Sequence, residues 1–202
     1  MSGKTYRVYI SSTHNDLHNY REAVADAITK MGMLPISSDE IGLASDASDD
    51  HLNTRISDAD IFIGIYAHHY GMVSPLWNVS LTEMEYKVAR DMGKKRLFFM
   101  IDPTALWRAD HIDRGTNGAR MDAFKQRIRD ESSYHIFTDQ KDLHIKTLNS
   151  LHQIVEQIHR ESGTMVVQSI FGTTLKDDQF KADAFMIMPF REKFEVVYRD
   201  HI

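Results

Sequence analysis

Three observations on the sequence predict an α/β fold, a doubly wound parallel sheet with helices on both faces. Short β-rich runs alternate with longer segments whose apolar residues recur at helical spacing. Two of the runs, IFIGIY at 61–66 and LFFMI at 97–101, are nearly all apolar, as strands covered on both faces require. Helical segments stand between successive runs, and parallel neighbours need such crossovers, which are right-handed.

Residues 5–10 (TYRVYI) read as the first strand, followed by a polar turn at 11–15. A helix is expected over about 16–31, because Leu17, Tyr20, Val24, Ala27, Ile28 and Met31 fall on one stripe and Gly32 is a suitable stop. A short second strand at 33–36 leads into an acidic, Ser-rich loop and a short helix near 51–57. The third strand is 61–66. A helix at 81–92 leads to the fourth strand at 96–101. A loop rich in Asp, Gly and Arg covers 102–118, a helix 119–131, and YHIF at 134–137 is the fifth strand. The helix at 141–160 carries Leu143, Leu148, Leu151, Ile154, Val155 and Ile158 on a broad stripe.

Composition narrows the function. The 202 residues suit one domain and part of another, and 42% hydrophobic with 26% charged residues is ordinary for a globular chain. A net charge of -5 argues against a nucleic-acid partner, since no basic surplus exists to neutralise phosphates. Cysteine is absent, which removes disulfides, thiolate metal sites and a cysteine nucleophile. The N-terminal residues form no apolar leader and no window approaches a membrane span, so a cytoplasmic location away from membranes is expected.

Ligands of open parallel sheets bind beyond the carboxyl ends of the strands, at the switch in strand order. Ser11, Ser12, Thr13, the segments 37–40, 66–71 and 77–85, and Asp102 fall there. The three hydroxyls beside the first helix suit a phosphate; capping of that helix by Asn15 or Thr13 is the equal alternative. Neither GxGxxG nor GxxxxGK[ST] occurs. His68 and His69 are adjacent and diverge, His14 and His18 lack a third ligand, and no metal is expected. The acidic loop with Asp39, Glu40, Asp46, Asp49 and Asp50 lacks the calcium-loop pattern and reads as solvated. The Asn78-Val79-Ser80 sequon has no consequence in a cytoplasmic chain. Glu83 and Glu85 stand two apart, diverging by about 200° on a helix, and cannot act as a pair. Glu83 then reads as an ordinary first-turn acid complementing the dipole, and Glu85 as the cleft carboxylate, with Thr82 on its face.

The stretches VYISSTHNDLHNYREAV, SDADIFIGIYAHHYG and SLTEMEYKVARDMGKK together resemble domain-of-unknown-function family 4062. That family sits with TIR and nucleoside 2-deoxyribosyltransferase-like proteins, and the resemblance covers about residues 1–160. It implies a flavodoxin-like sheet of order 2-1-3-4-5. It also implies that Thr82 and Glu85, ahead of Gly93-Lys94, match the Thr-x-x-Glu that supplies the transferases' nucleophilic glutamate. The sequence departs from the pattern at Met84 and Tyr86-Lys87, and it lacks the TIR Trp-Cys pair, although Trp77 is near. The implied function is an N-glycosidase or ribosyl-transfer reaction on NAD or another nucleotide, as substrate and not as cofactor, in a bacterial signalling or antiphage-defence protein. Glu85 would be catalytic, Thr82 and Asp102 would position ribose hydroxyls, Ser12 and Thr13 would contact phosphate, and Tyr66 or Tyr70, beside Gly71, would stack on the base. The alternative is a non-catalytic TIR-like module for nucleotide sensing or self-association. A Glu85 in an open cleft favours the first, and one buried in an ion pair favours the second.

The boundary is expected near residue 162. Residues 165–202, with AFMIM at 184–188 and a helix from 192, resemble the truncated opening strand and helix of a second domain of the same kind. Such a piece is too short to hold its own core.

Overall fold

The computed structural model describes residues 4–37 and 49–161, and the backbone of 167–168 and 174–175. The elements are β1 Arg7–Ser11, α1 His18–Lys30, β2 Leu34–Ser37, α2 Asp49–Ser57, β3 Ile61–Tyr66, α3 Leu81–Asp91, β4 Lys95–Ile101, α4 Gly115–Glu131, β5 His135–Phe137 and α5 Gln140–Glu161. A 3₁₀ turn, Ala109–His111, interrupts the long loop after β4. The five strands are parallel and lie in the expected order, β2-β1-β3-β4-β5. Pro35 is tolerated because β2 is an edge, where a missing N–H costs no ladder bond on the open side.

Strand period two sorts the core. Tyr9, Phe62, Tyr66, Phe98 and Met100 point to one face and pack with Leu52 and Ile56 of α2, Tyr86 and Ala89 of α3, and Phe124 and Ile128 of α4. Val8, Ile10, Ile61, Ile63, Ile65, Phe99 and Ile101 are buried on the other, with Val24 and Ile28 of α1 and Leu143 and Leu151 of α5. His144 on α5 bonds the Ala23 carbonyl of α1 at 2.9 Å. All six residues of β3 are buried, as its apolar run predicts.

α3 is fixed at both ends. Ser80 is its N-cap and accepts from the Glu83 N–H at 3.2 Å. The helix closes with the Lys94 N–H on the Ala89 carbonyl. The Lys94 ammonium then reaches the Ser57 and Ala59 carbonyls, at 2.6 and 2.8 Å, where α2 ends. The Gly-Lys after α3 thus has a structural task.

The chain divides into two compact units, Met1–Val155 and Glu156–Ile202. In the second, β6 Val167–Gln168 pairs antiparallel with β7 Thr174–Leu175. The strand and helix expected at 184–202 lie outside the described residues. No helix among the described residues is long and apolar enough to cross a membrane.

Candidate functional site at the carboxyl ends of the strands

The switch in strand order lies between β1 and β3, where the chain leaves β1 for one side and β3 for the other. Ser11 ends β1 and pairs in register with Gly64. Its hydroxyl donates to Glu85 Oε2 at 2.5 Å, and the Tyr9 hydroxyl donates to Oε1 at 2.8 Å. Glu85 is 1% exposed. Its carboxylate therefore reaches the strand ends, as the sequence places it, but lies beneath the β1 terminus and not in an open cleft. Both oxygens accept from hydroxyls, the arrangement a buried carboxylate needs. Thr82, one turn earlier, is buried on the same helix.

Tyr66 ends β3. Its ring is enclosed by Phe98 at 6.2 Å and Phe124 at 5.0 Å between centroids. Burial and the nearby Glu85 charge hold its hydroxyl well above the ordinary tyrosine range. Tyr70 is 2% exposed and belongs to the same core. Neither ring is open for the base-stacking role expected of it: Phe98 and Phe124 pack on Tyr66, and Tyr70 is buried in the same core.

Glu83 stands in the first turn of α3, as expected, and is in addition the buried centre of a network. Its carboxylate accepts from the Tyr70 hydroxyl at 2.6 Å and from Arg127 at 2.7 Å, and Lys87 stands 3.1 Å away. Burial alone would raise its pKa, but these three donors outweigh burial and hold it below the usual carboxylate range. The signal was Ser80-x-x-Glu83, a capping box. Tyr70 bridges the box here, since its hydroxyl also accepts from the Ser80 N–H at 3.3 Å.

The remaining hydroxyls have internal partners. Ser12 accepts from Arg21, a buried side chain of α1, at 2.7 Å, and Thr13 donates to Asp16 Oδ1 at 2.5 Å. The expected cap by Asn15 or Thr13 is absent, because the N-cap of α1 is Leu17, which offers no acceptor. Gly71, at φ 86°, needs a glycine twice over: its backbone is left-handed, and a Cβ would stand 3.1 Å from the Thr13 methyl. Asp102 turns to its own loop, accepting from the Thr104 N–H and hydroxyl at 2.7 and 2.6 Å.

Sequence reasoning missed the other part of the site. A cleft of about 450 Å³ opens between the start of α1 and the loop after β4, lined by Asp16, Asn19, Tyr20, Trp107, Arg108 and His111 among others. Tyr20 and Trp107 meet at 5.3 Å, and His68 stands edge-on to Trp107 at 5.9 Å. Asp16 is 9% exposed and its Oδ2 has no partner. Burial raises its carboxyl pKa, partly offset by the Thr13 hydrogen bond and by His69 and His111. Lys125 on α4, 7% exposed, is pulled down to about 8 by burial. A solitary Trp in a polar loop was the one available sign. Asp113 holds the rim: its carboxylate bonds the His69 ring at 3.0 Å and accepts from the Tyr70 N–H at 2.8 Å, and its own N–H meets the His68 carbonyl.

These features define a class, a doubly wound parallel α/β domain with a buried carboxylate at its topological switch point and a cleft between the start of α1 and the loop after β4. Within that class the chain belongs to the family described as Domain of unknown function (DUF4062), whose model matches residues 7–152. No curated protein matches it. Among solved structures, it is similar to a CMP N-glycosidase, BcmB, from Clostridium botulinum, at 17% identity and TM-score 0.46, covering 72% of this chain and 98% of that one. It is similar to the RPS4 and RRS1 TIR domain heterodimer at 10% identity and TM-score 0.46, over 74% and 97%. A 2-desoxiribosyltransferase from Leishmania mexicana is similar at 16% identity and TM-score 0.37, over 56% and 76%.

Proposed function

We propose that this domain cleaves or transfers the N-glycosidic bond of NAD or another nucleotide within a cytoplasmic signalling or defence protein. The observation that supports the reading is the Glu85 carboxylate, brought to the end of β1 and oriented by the Ser11 and Tyr9 hydroxyls. A carboxylate there can stabilise an oxocarbenium-like ribosyl centre, or attack it, as the C1′–N bond breaks. The bonding electrons leave with the base; water or an acceptor hydroxyl then adds to C1′, and its proton passes to the departing base of an ordinary nucleotide or, for the nicotinamide of NAD, which leaves already neutral, to solvent. The ribose must displace Ser11 from Glu85, so a ribose hydroxyl takes over the donation Ser11 now makes. Thr82 lies on the same helix face for the same sugar.

One observation favours a second reading, a nucleotide-sensing module without turnover. Glu85 is 1% exposed, so no sugar reaches it unless the end of β1 moves.

The test incubates the full chain with NAD and with purine and pyrimidine nucleotides and measures free base. Release that Glu85→Gln lowers roughly 10²–10³-fold, with ligand binding retained, is the expected result. Equal release by both proteins ends the catalytic role of Glu85. Binding without release by the wild type establishes the sensing module.

A further inference from the structure

The cleft beside α1 has a chemical character of its own. One wall is aromatic, Trp107 against Tyr20. Leu106 at the rim is fully exposed, an apolar side chain facing water. At the floor, Asp16 is tied by one oxygen to Thr13, while Oδ2 is buried and unpartnered. A buried polar atom without a partner is costly, and a ligand that satisfies it recovers that cost.

We propose that this cleft seats the planar heterocycle of a nucleotide, stacked on Trp107, with Asp16 Oδ2 hydrogen-bonded to the polar edge of the ring. The inference rests on the nucleotide reading above for the kind of ring. Burial shifts Asp16 towards its protonated form, in which Oδ2 can donate to the ring. A protonated carboxyl is a donor, whereas an ionised one only accepts and would repel a ring nitrogen or carbonyl. The charged and titratable groups facing Asp16 are His69 and His111 from the loops after β3 and β4, and Lys125 from α4; His68 feels both Asp16 and Lys125.

The experiment uses the full chain carrying Trp77→Phe, which leaves Trp107 as the single tryptophan. Its fluorescence is titrated with AMP, CMP, NAD and ribose 5-phosphate from pH 4 to pH 8. At least one ring-bearing probe should quench Trp107, and ribose 5-phosphate should not. Affinity should fall as pH rises through the Asp16 titration. Asp16→Asn, whose amide donates at every pH, should bind with that dependence flattened, and Asp16→Ala should bind about 5–30-fold more weakly. Quenching by ribose 5-phosphate equal to that by the nucleotides overturns the proposal. So does a pH dependence that survives in Asp16→Asn, which would belong to the histidines. Failure here is separable from failure of the catalytic reading. Glu85-dependent base release without quenching by any nucleotide sinks the cleft alone, and pH-dependent quenching without base release sinks catalysis alone.

Discussion

Glu83 and Glu85 stand two residues apart and have opposite surroundings. Glu85 rests on hydroxyls, while Glu83 rests on Tyr70 and the cations Arg127 and Lys87. Because the folded pKa of Glu83 is lowered, its contribution to stability is complete above the unfolded glutamate value. It is lost as pH falls through the folded one. Glu83→Gln should therefore cost about 1–3 kcal/mol at pH 7, and progressively less as pH falls below the unfolded glutamate value, read from urea unfolding across that range. Equal stability of the two proteins at neutral pH would show that the network carries none. The helix phase separated the two glutamates correctly in the sequence. It could not show which would meet cations, because Arg127 and Tyr70 arrive from other elements. Asp16 and Trp107 were hidden for the same reason: they converge from different crossovers, and neither carries a local pattern.

At the scale of elements, β3 shows how tightly the sheet and site are joined. Gly64 sits two residues before Tyr66, on the same face, and a Cβ there would stand 2.3 Å from the Tyr66 hydroxyl and 2.5 Å from its ring. Phe98 and Phe124 leave that ring no room to step aside. Gly64→Ala should cost about 1–3 kcal/mol by overpacking, seen as a lower melting temperature, although alanine is otherwise acceptable in a strand. A neutral effect would mean that Tyr66 can turn. The strands and most helices were legible, because apolar runs and helical stripes reflect burial directly. The start of α4 was not. It begins at Gly115, four residues before the expected start, since Gly115 and Gly118 read as loop and its N-cap, Arg114, makes no side-chain bond. Gly118 is there for space, as a Cβ would stand 2.8 Å from the Asp113 carbonyl.

At the scale of the molecule, residues 4–155 contain the sheet, the helices on both faces and every candidate site residue. Removing everything after Ser162 should shift the melting transition of this unit by no more than about 2 °C, under 1 kcal/mol for a domain of this size. A fall several times larger would make the tail part of the first core. Cover on both faces of the sheet was legible because two nearly all-apolar strands need it, whereas the strand order was legible through the family resemblance. Of the tail, the described pieces 167–168 and 174–175 pair antiparallel, and the strand and helix expected at 184–202 lie outside the described residues.

Asp113 binds two loops that the sequence keeps far apart. Its carboxylate fastens His69 and Tyr70 while its own backbone closes on His68, so the segments following β3 and β4 are pinned to each other as one plate. Tyr70 carries that plate onward to the first turn of α3 through Ser80 and Glu83. An unbroken chain of hydrogen bonds thus joins the loop that carries Trp107 to the first turn of the helix that holds Glu85.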